Sequence, residues 1–119
     1  MKKLFFVTTC IVCCTFQACK YESVEPEKVV VTDSVISYSK IIAPLTTAQC
    51  SSSAGCHEAG SQDGDFTTYD GLKEKAADGT LYNRVVKIKD MPQTGTAYKL
   101  TDAERDLYNA WIAQGFANN

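Results

Sequence analysis

Residues 50–57 read Cys50-Ser51-Ser52-Ser53-Ala54-Gly55-Cys56-His57. Two thiols are separated by five residues, and an imidazole follows the second directly. His57 is the only histidine of the 119-residue chain. Thiols and imidazoles bond metals, attack electrophilic carbon and, for thiols, pair oxidatively. What the fold is built around depends on which of these chemistries the rest of the chain supports.

The other four of the six cysteines lie in the first 19 residues. Lys2 and Lys3 precede an apolar run from Leu4 to Ala18, the basic start and hydrophobic body of an export signal. The run closes on Phe16-Gln17-Ala18-Cys19. A small residue before a cysteine at this point resembles the bacterial lipobox, so residues 1–18 are expected to be a lipoprotein-type signal peptide and Cys19 the lipidated first residue. Cys10, Cys13 and Cys14 leave with the leader. Residues 19–34 are charged, carry Pro26 and hold one short apolar patch, Val29 to Val31. They read as a lipid-anchored flexible tether, with the valines as one extended strand at most. The expected location is outside the cytoplasm, on the outer membrane, facing the periplasm or the cell surface. Residues 35–119 remain for a single domain, in which an apolar core alone is marginal and a cofactor or cross-link would add stability. Without Lys2 and Lys3 the chain has 10 basic against 14 acidic residues, which argues against a nucleic-acid surface.

Once exported, Cys50 and Cys56 are the only thiols left, and they admit several readings. A cysteine pair ending in Cys-His holds a haem covalently, through thioether bonds and imidazole ligation, although the usual gap is two residues. A Cys50–Cys56 disulfide with His57 as a bystander suits an oxidising compartment equally well. Zinc wants four ligands and finds no further Cys or His. A Cys-His nucleophilic pair lacks an oxyanion motif and suitable geometry between adjacent residues. On this stretch alone, haem attachment and the disulfide both stand.

The flanking pattern is helical. Tyr38, Ile41, Ile42 and Leu45 share one face, Ser37 is the expected cap, and Pro44 should kink or split the segment. Glu58 to Asp65 is loop, and Asp63-Gly64-Asp65 reads as a tight turn rather than a calcium loop. In FTTYDGLKEKAADG, Thr67 or Thr68 caps a short helix with Tyr69, Leu72 and Ala76 on one face, stopped by Gly79. Gly71 should cost that helix stability. Leu81 to Val86 is a further short segment with Leu81 and Val85 inward. Arg84, Lys87 and Lys89 are cations for porphyrin carboxylates or for the solvated surface. Met91, in Lys89-Asp90-Met91-Pro92-Gln93-Thr94-Gly95, is the one methionine besides the initiator and sits in an irregular polar stretch. It reads either as a gap-filling core residue or as a thioether ligand. Thr101 and Glu104 form a capping box for a last helix with a Leu107, Tyr108, Trp111, Ile112 stripe, ended by Gly115.

The order SYSKIIAPLTTAQC, GCH, Met91-Pro92, then LTDAERDLYNAWIAQGF resembles the small c-type cytochrome domains of bacteria over about Val35 to Asn119. The resemblance implies an all-α, cytochrome c-like fold of three to four short helices around one haem c. It implies Cys50 and Cys56 as the thioether cysteines and His57 and Met91 as axial iron ligands. Tyr108 and Trp111 would pack the last helix near the first helix and the haem edge. The implied function is electron transfer rather than enzymatic turnover, with a redox protein, such as a dehydrogenase, as partner. The family often places a proline carbonyl on the second histidine nitrogen. No proline lies between His57 and Asp65, so the sequence names no residue for that role. The alternative is a haem-free surface lipoprotein, a binding or assembly module with a Cys50–Cys56 disulfide.

Overall fold

The structure, a computed structural model, describes residues 34–119. The leader over 1–18, Cys19 and the tether up to residue 33 lie outside the described residues. Among the described residues there are helices and loops and no strand, an all-α arrangement.

The first helical segment begins as a π-helical turn, Tyr38–Ile42, and continues as α1, Ala43–Gln49. Pro44 explains the split. It has no N–H to continue the ladder, so it sits in the first turn of α1, where none is required. The wider turn before it is closed by i→i−5 bonds from Ile42 N to Ser37 O and from Ala43 N to Tyr38 O. Ser37 caps this turn, its hydroxyl accepting from Lys40 N at 3.3 Å. Asn119 satisfies the next orphan donors. Its side-chain oxygen accepts from Tyr38 N and its carbonyl from Ser39 N, both at 2.8 Å. The two ends of the domain are thereby joined.

The second helix, α2, runs Tyr69–Ala77 with Thr68 as N-cap, accepting from Gly71 N at 3.2 Å. Leu72 and Ala76 are buried, and Gly79 takes the left-handed conformation just past the end. Gly71 has a reason that propensity does not show. A Cβ there would lie 1.8 Å from the Asp65 carbonyl oxygen, so only glycine lets the preceding loop cross the helix start. A π-helical segment, Tyr82–Lys87, follows with Leu81 and Val85 buried.

The last helix, α3, spans Asp102–Ala113 and carries the capping box in full: Thr101 Oγ1 accepts from Glu104 N, and Glu104 Oε2 accepts from Thr101 N at 2.7 Å. It closes in a Schellman motif, with Phe116 N bonding Trp111 O and Gly115 N bonding Ile112 O. The expected stripe faces the core, Leu107 and Ile112 packing at its edges, and the buried face is wider than the stripe. Tyr108 and Trp111 are completely buried, whereas Leu107 and Ile112 are half-buried, and Arg105, Asn109 and Ala110 lie inside. The reason is where the neighbours sit: the first helical segment and the Tyr82–Lys87 segment both pack against α3. Tyr38 stacks on Trp111 at 5.8 Å and meets Tyr69 edge-on at 5.0 Å.

Candidate functional site

Cys50 is the C-cap of α1, its N–H bonded to Thr46 O at 2.8 Å, so one thiol is set on rigid backbone. The chain then loops out through the small residues 51–55. Gly55 takes φ +85° and Cys56 N bonds Ser53 O. The loop closes where His57 N bonds Cys50 O at 3.1 Å. The five-residue gap is thus absorbed as a closed bulge whose two ends are hydrogen-bonded neighbours. Both thiols are free. Burial pushes the Cys50 thiol up to about 11, against a smaller opposing effect from the Tyr108 hydroxyl, which lies 3.9 Å from its sulfur. Tyr108 is in turn bonded to Thr46 at 2.8 Å, tying α3 to α1 beside Cys50. Ser53 Oγ lies 3.2 Å from the Cys56 sulfur.

The partner of the second histidine nitrogen is Gly64. His57 Nδ1 is 3.2 Å from the Gly64 carbonyl oxygen, which can only accept, so Nδ1 carries a proton, and the tautomer of the neutral ring that fits this bond has its lone pair on Nε2. The ring is fixed on its flat side by Phe66, stacked at 3.9 Å and 8°. A further bond, Phe66 N to His57 O, closes the same loop. Gly64 has φ +114°, and a Cβ there would come within 2.9 Å of the Phe66 ring. Asp65 works within the turn, its carboxylate accepting from Gly60 N and Thr67 N. This agrees with the tight-turn reading.

The methionine stretch is held from several directions. Asp90 N and Met91 N both bond Arg84 O, and Arg84 Nε–H donates to both Asp90 carboxylate oxygens at 2.7 and 2.8 Å. Further on, Lys99 N bonds Gln49 Oε1. The Tyr98 hydroxyl is bonded by Ser52 and then Ser53, which lowers its pKa. The segment after Met91 therefore crosses back onto the cysteine loop.

These pieces enclose one cleft of about 380 Å³, within the size range of small-molecule sites. Cys50, Cys56, His57 and Met91 all line it, together with apolar Phe66, Leu81 and Val85. The four residues singled out in the sequence thus come from two separate chain segments, 50–57 and the stretch around Met91, to a single cavity. Of the cations considered, Arg84 borders the cleft. Lys87 and Lys89 do not, and Lys89 is paired with Asp102 at 2.8 Å. Among the described residues no group of three or more His, Cys, Asp or Glu is placed to hold a metal ion. A haem needs only two ligands from the chain. The donor set of two free thiols, one imidazole with an open Nε2 and one thioether fits that group. Cys19 lies outside the described residues, and among these no helix is long and apolar enough to cross a membrane.

Sequence reasoning missed Gly64, Phe66 and Arg105. The signal for Arg105 was its spacing: it falls three residues before Tyr108, on a face that is otherwise buried. Gly64 and Phe66 act through a loop whose path no periodicity encodes. No protein-family model, curated protein or solved structure matches the chain.

Proposed function

We propose that the chain is a monohaem electron carrier of the cytochrome c kind, tethered through a lipid on Cys19 to a membrane outside the cytoplasm. The observation that carries the reading is the convergence of Cys50, Cys56, His57 and Met91 on one cleft, with His57 presenting a free Nε2. A haem bound there supplies a one-electron couple. Cys50 and Cys56 would attach it through thioether bonds, and His57 and Met91 would be its axial ligands. The Gly64 carbonyl holds the imidazole proton on Nδ1 and makes the ring a better donor. Phe66, Leu81 and Val85 keep water from the inner wall of the cleft. With His57 and Met91 both engaged in holding the haem, the group would serve to pass electrons between redox proteins that dock briefly rather than to bind a substrate.

The test is export of the full chain in cells that carry the haem-attachment enzymes. The expected product is coloured, gives a pyridine haemochrome after denaturation, and is heavier by one haem. A colourless product lighter by two hydrogens, with Cys50 joined to Cys56, overturns the reading in favour of a haem-free module. Replacement of Cys19→Ala should release the chain from the membrane fraction.

A further inference from the structure

Arg105 is the one cation of the described core: nine per cent of its surface is exposed, yet it belongs to the buried side of α3. Among the described residues no carboxylate forms a salt bridge with it. Its Nη1 donates to two backbone carbonyls, Val85 O and, at 3.0 Å, Met91 O. A buried guanidinium whose nearest carboxylates, Asp102 and Glu104, act on it only at a distance is costly, because the charge has left water and the carbonyls return only part of the solvation. An apolar side chain would fill the same space at less cost. The two carbonyls are informative: one belongs to the helical segment that walls the cleft, the other to Met91 itself. A single rigid fork thus spans the scaffold and the methionine stretch.

We infer that Arg105 is a positioning residue that fixes the Met91 backbone and thereby sets how firmly the Met91 thioether is held in the cleft. This rests on the electron-carrier reading. Met91 has no regular secondary structure of its own, and its N–H bond goes to Arg84 O at 3.3 Å, near the long limit for such a bond. Arg105 supplies the complementary hold on the carbonyl side. The Arg84–Asp90 pair lies at the surface and secures the neighbouring residue rather than Met91.

The experiment uses the full haem-loaded chain and titrates ferric protein with free imidazole, a stronger ligand than a thioether, while following the absorption of the methionine-ligated form. In Arg105→Met, imidazole is expected to displace the methionine at ~10–100-fold lower concentration, the range for loss of a residue that orients a ligand. Arg105→Lys, which keeps a donor in place, should recover part of the difference. Lys89→Ala is the control: it removes another contact between α3 and the loops without touching Met91, and should leave imidazole binding unchanged. Should Arg105→Met fail to fold, Arg105→Lys decides alone, with a smaller shift in the same direction expected. Folded Arg105 variants with the wild-type imidazole titration overturn the inference and leave the electron-carrier reading intact. A colourless wild-type chain overturns that reading instead. Hydrogen exchange over residues 91–98 then decides on the clamp: faster exchange in Arg105→Lys than in wild type supports it, and equal exchange overturns it.

Discussion

His57 Nδ1 stands 3.2 Å from the carbonyl oxygen of Gly64, and that carbonyl is held in place by a backbone only glycine readily adopts. Replacing Gly64 by alanine brings a Cβ to 2.9 Å from the Phe66 ring that stacks on His57, at φ +114°. Gly64→Ala is expected to lower stability by about 1–3 kcal/mol, read from the urea midpoint. In the haem-loaded chain it should also raise the reduction potential, because the imidazole loses the bond that enriches it. Gly60→Ala shares the positive φ but has nothing within 4 Å, so it should leave the potential unchanged.

Gly71→Ala reverses the usual helix rule. At an exposed helix position the change would stabilise by about 1 kcal/mol. Here the new Cβ would meet the Asp65 carbonyl at 1.8 Å, and the loop carrying Gly64 and Phe66 would have to move. A loss of about 1–3 kcal/mol in chemical denaturation is expected. A gain would show that the loop does not cross the start of α2 this closely.

The capping box of α3 makes an acid-sensitive contribution. The Thr101 backbone N–H, followed by its hydroxyl, holds the Glu104 carboxyl below the usual glutamate range. A carboxylate with a depressed folded pKa binds its proton more readily in the unfolded chain. Its stabilisation is therefore complete above the unfolded value and disappears as pH falls through the folded one. Glu104→Gln should destabilise the chain at pH 7 and flatten the fall in thermal midpoint below the ordinary glutamate pKa. Thr101→Ala should cost about 0.5–2 kcal/mol at neutral pH.

Met91 is tested by exchanging its donor atom. Met91→His in the haem-loaded chain is expected to lower the reduction potential, since a thioether favours the reduced state more than a second imidazole does. Met91→Ala should open the position to added imidazole. An unchanged absorption spectrum in Met91→Ala would remove the methionine from the ligand set and return it to the role of a residue that fills a gap in the core.

Local features were legible wherever the physics is local. Ser37, Thr68 and Thr101 cap the helices they were expected to cap, because a side-chain oxygen three residues before an unbonded N–H is a matter of spacing. Pro44 split the first helical segment because a missing N–H acts at its own position. Gly79 and Gly115 end helices for the same kind of reason. The buried face of α3 was wider than its apolar stripe and takes in Arg105 and Asn109, since a stripe shows which residues are apolar and not which direction the partner helices come from. Arg105 was passed over for that reason: its spacing puts it beside Tyr108, but a cation on a helix reads as surface until two carbonyls from elsewhere enclose it.

By itself the sequence determined an all-helical domain, its caps and breaks, and the candidacy of Cys50, Cys56, His57 and Met91, because residue type and spacing dictate each of these within a few positions. Only the tertiary structure decided that these four share a cleft, that Gly64 orients the histidine, and that Arg105 reaches the methionine carbonyl. Those relations depend on loop paths and helix packing, which are set by the global balance of buried surface and satisfied backbone groups and leave no periodic trace along the chain.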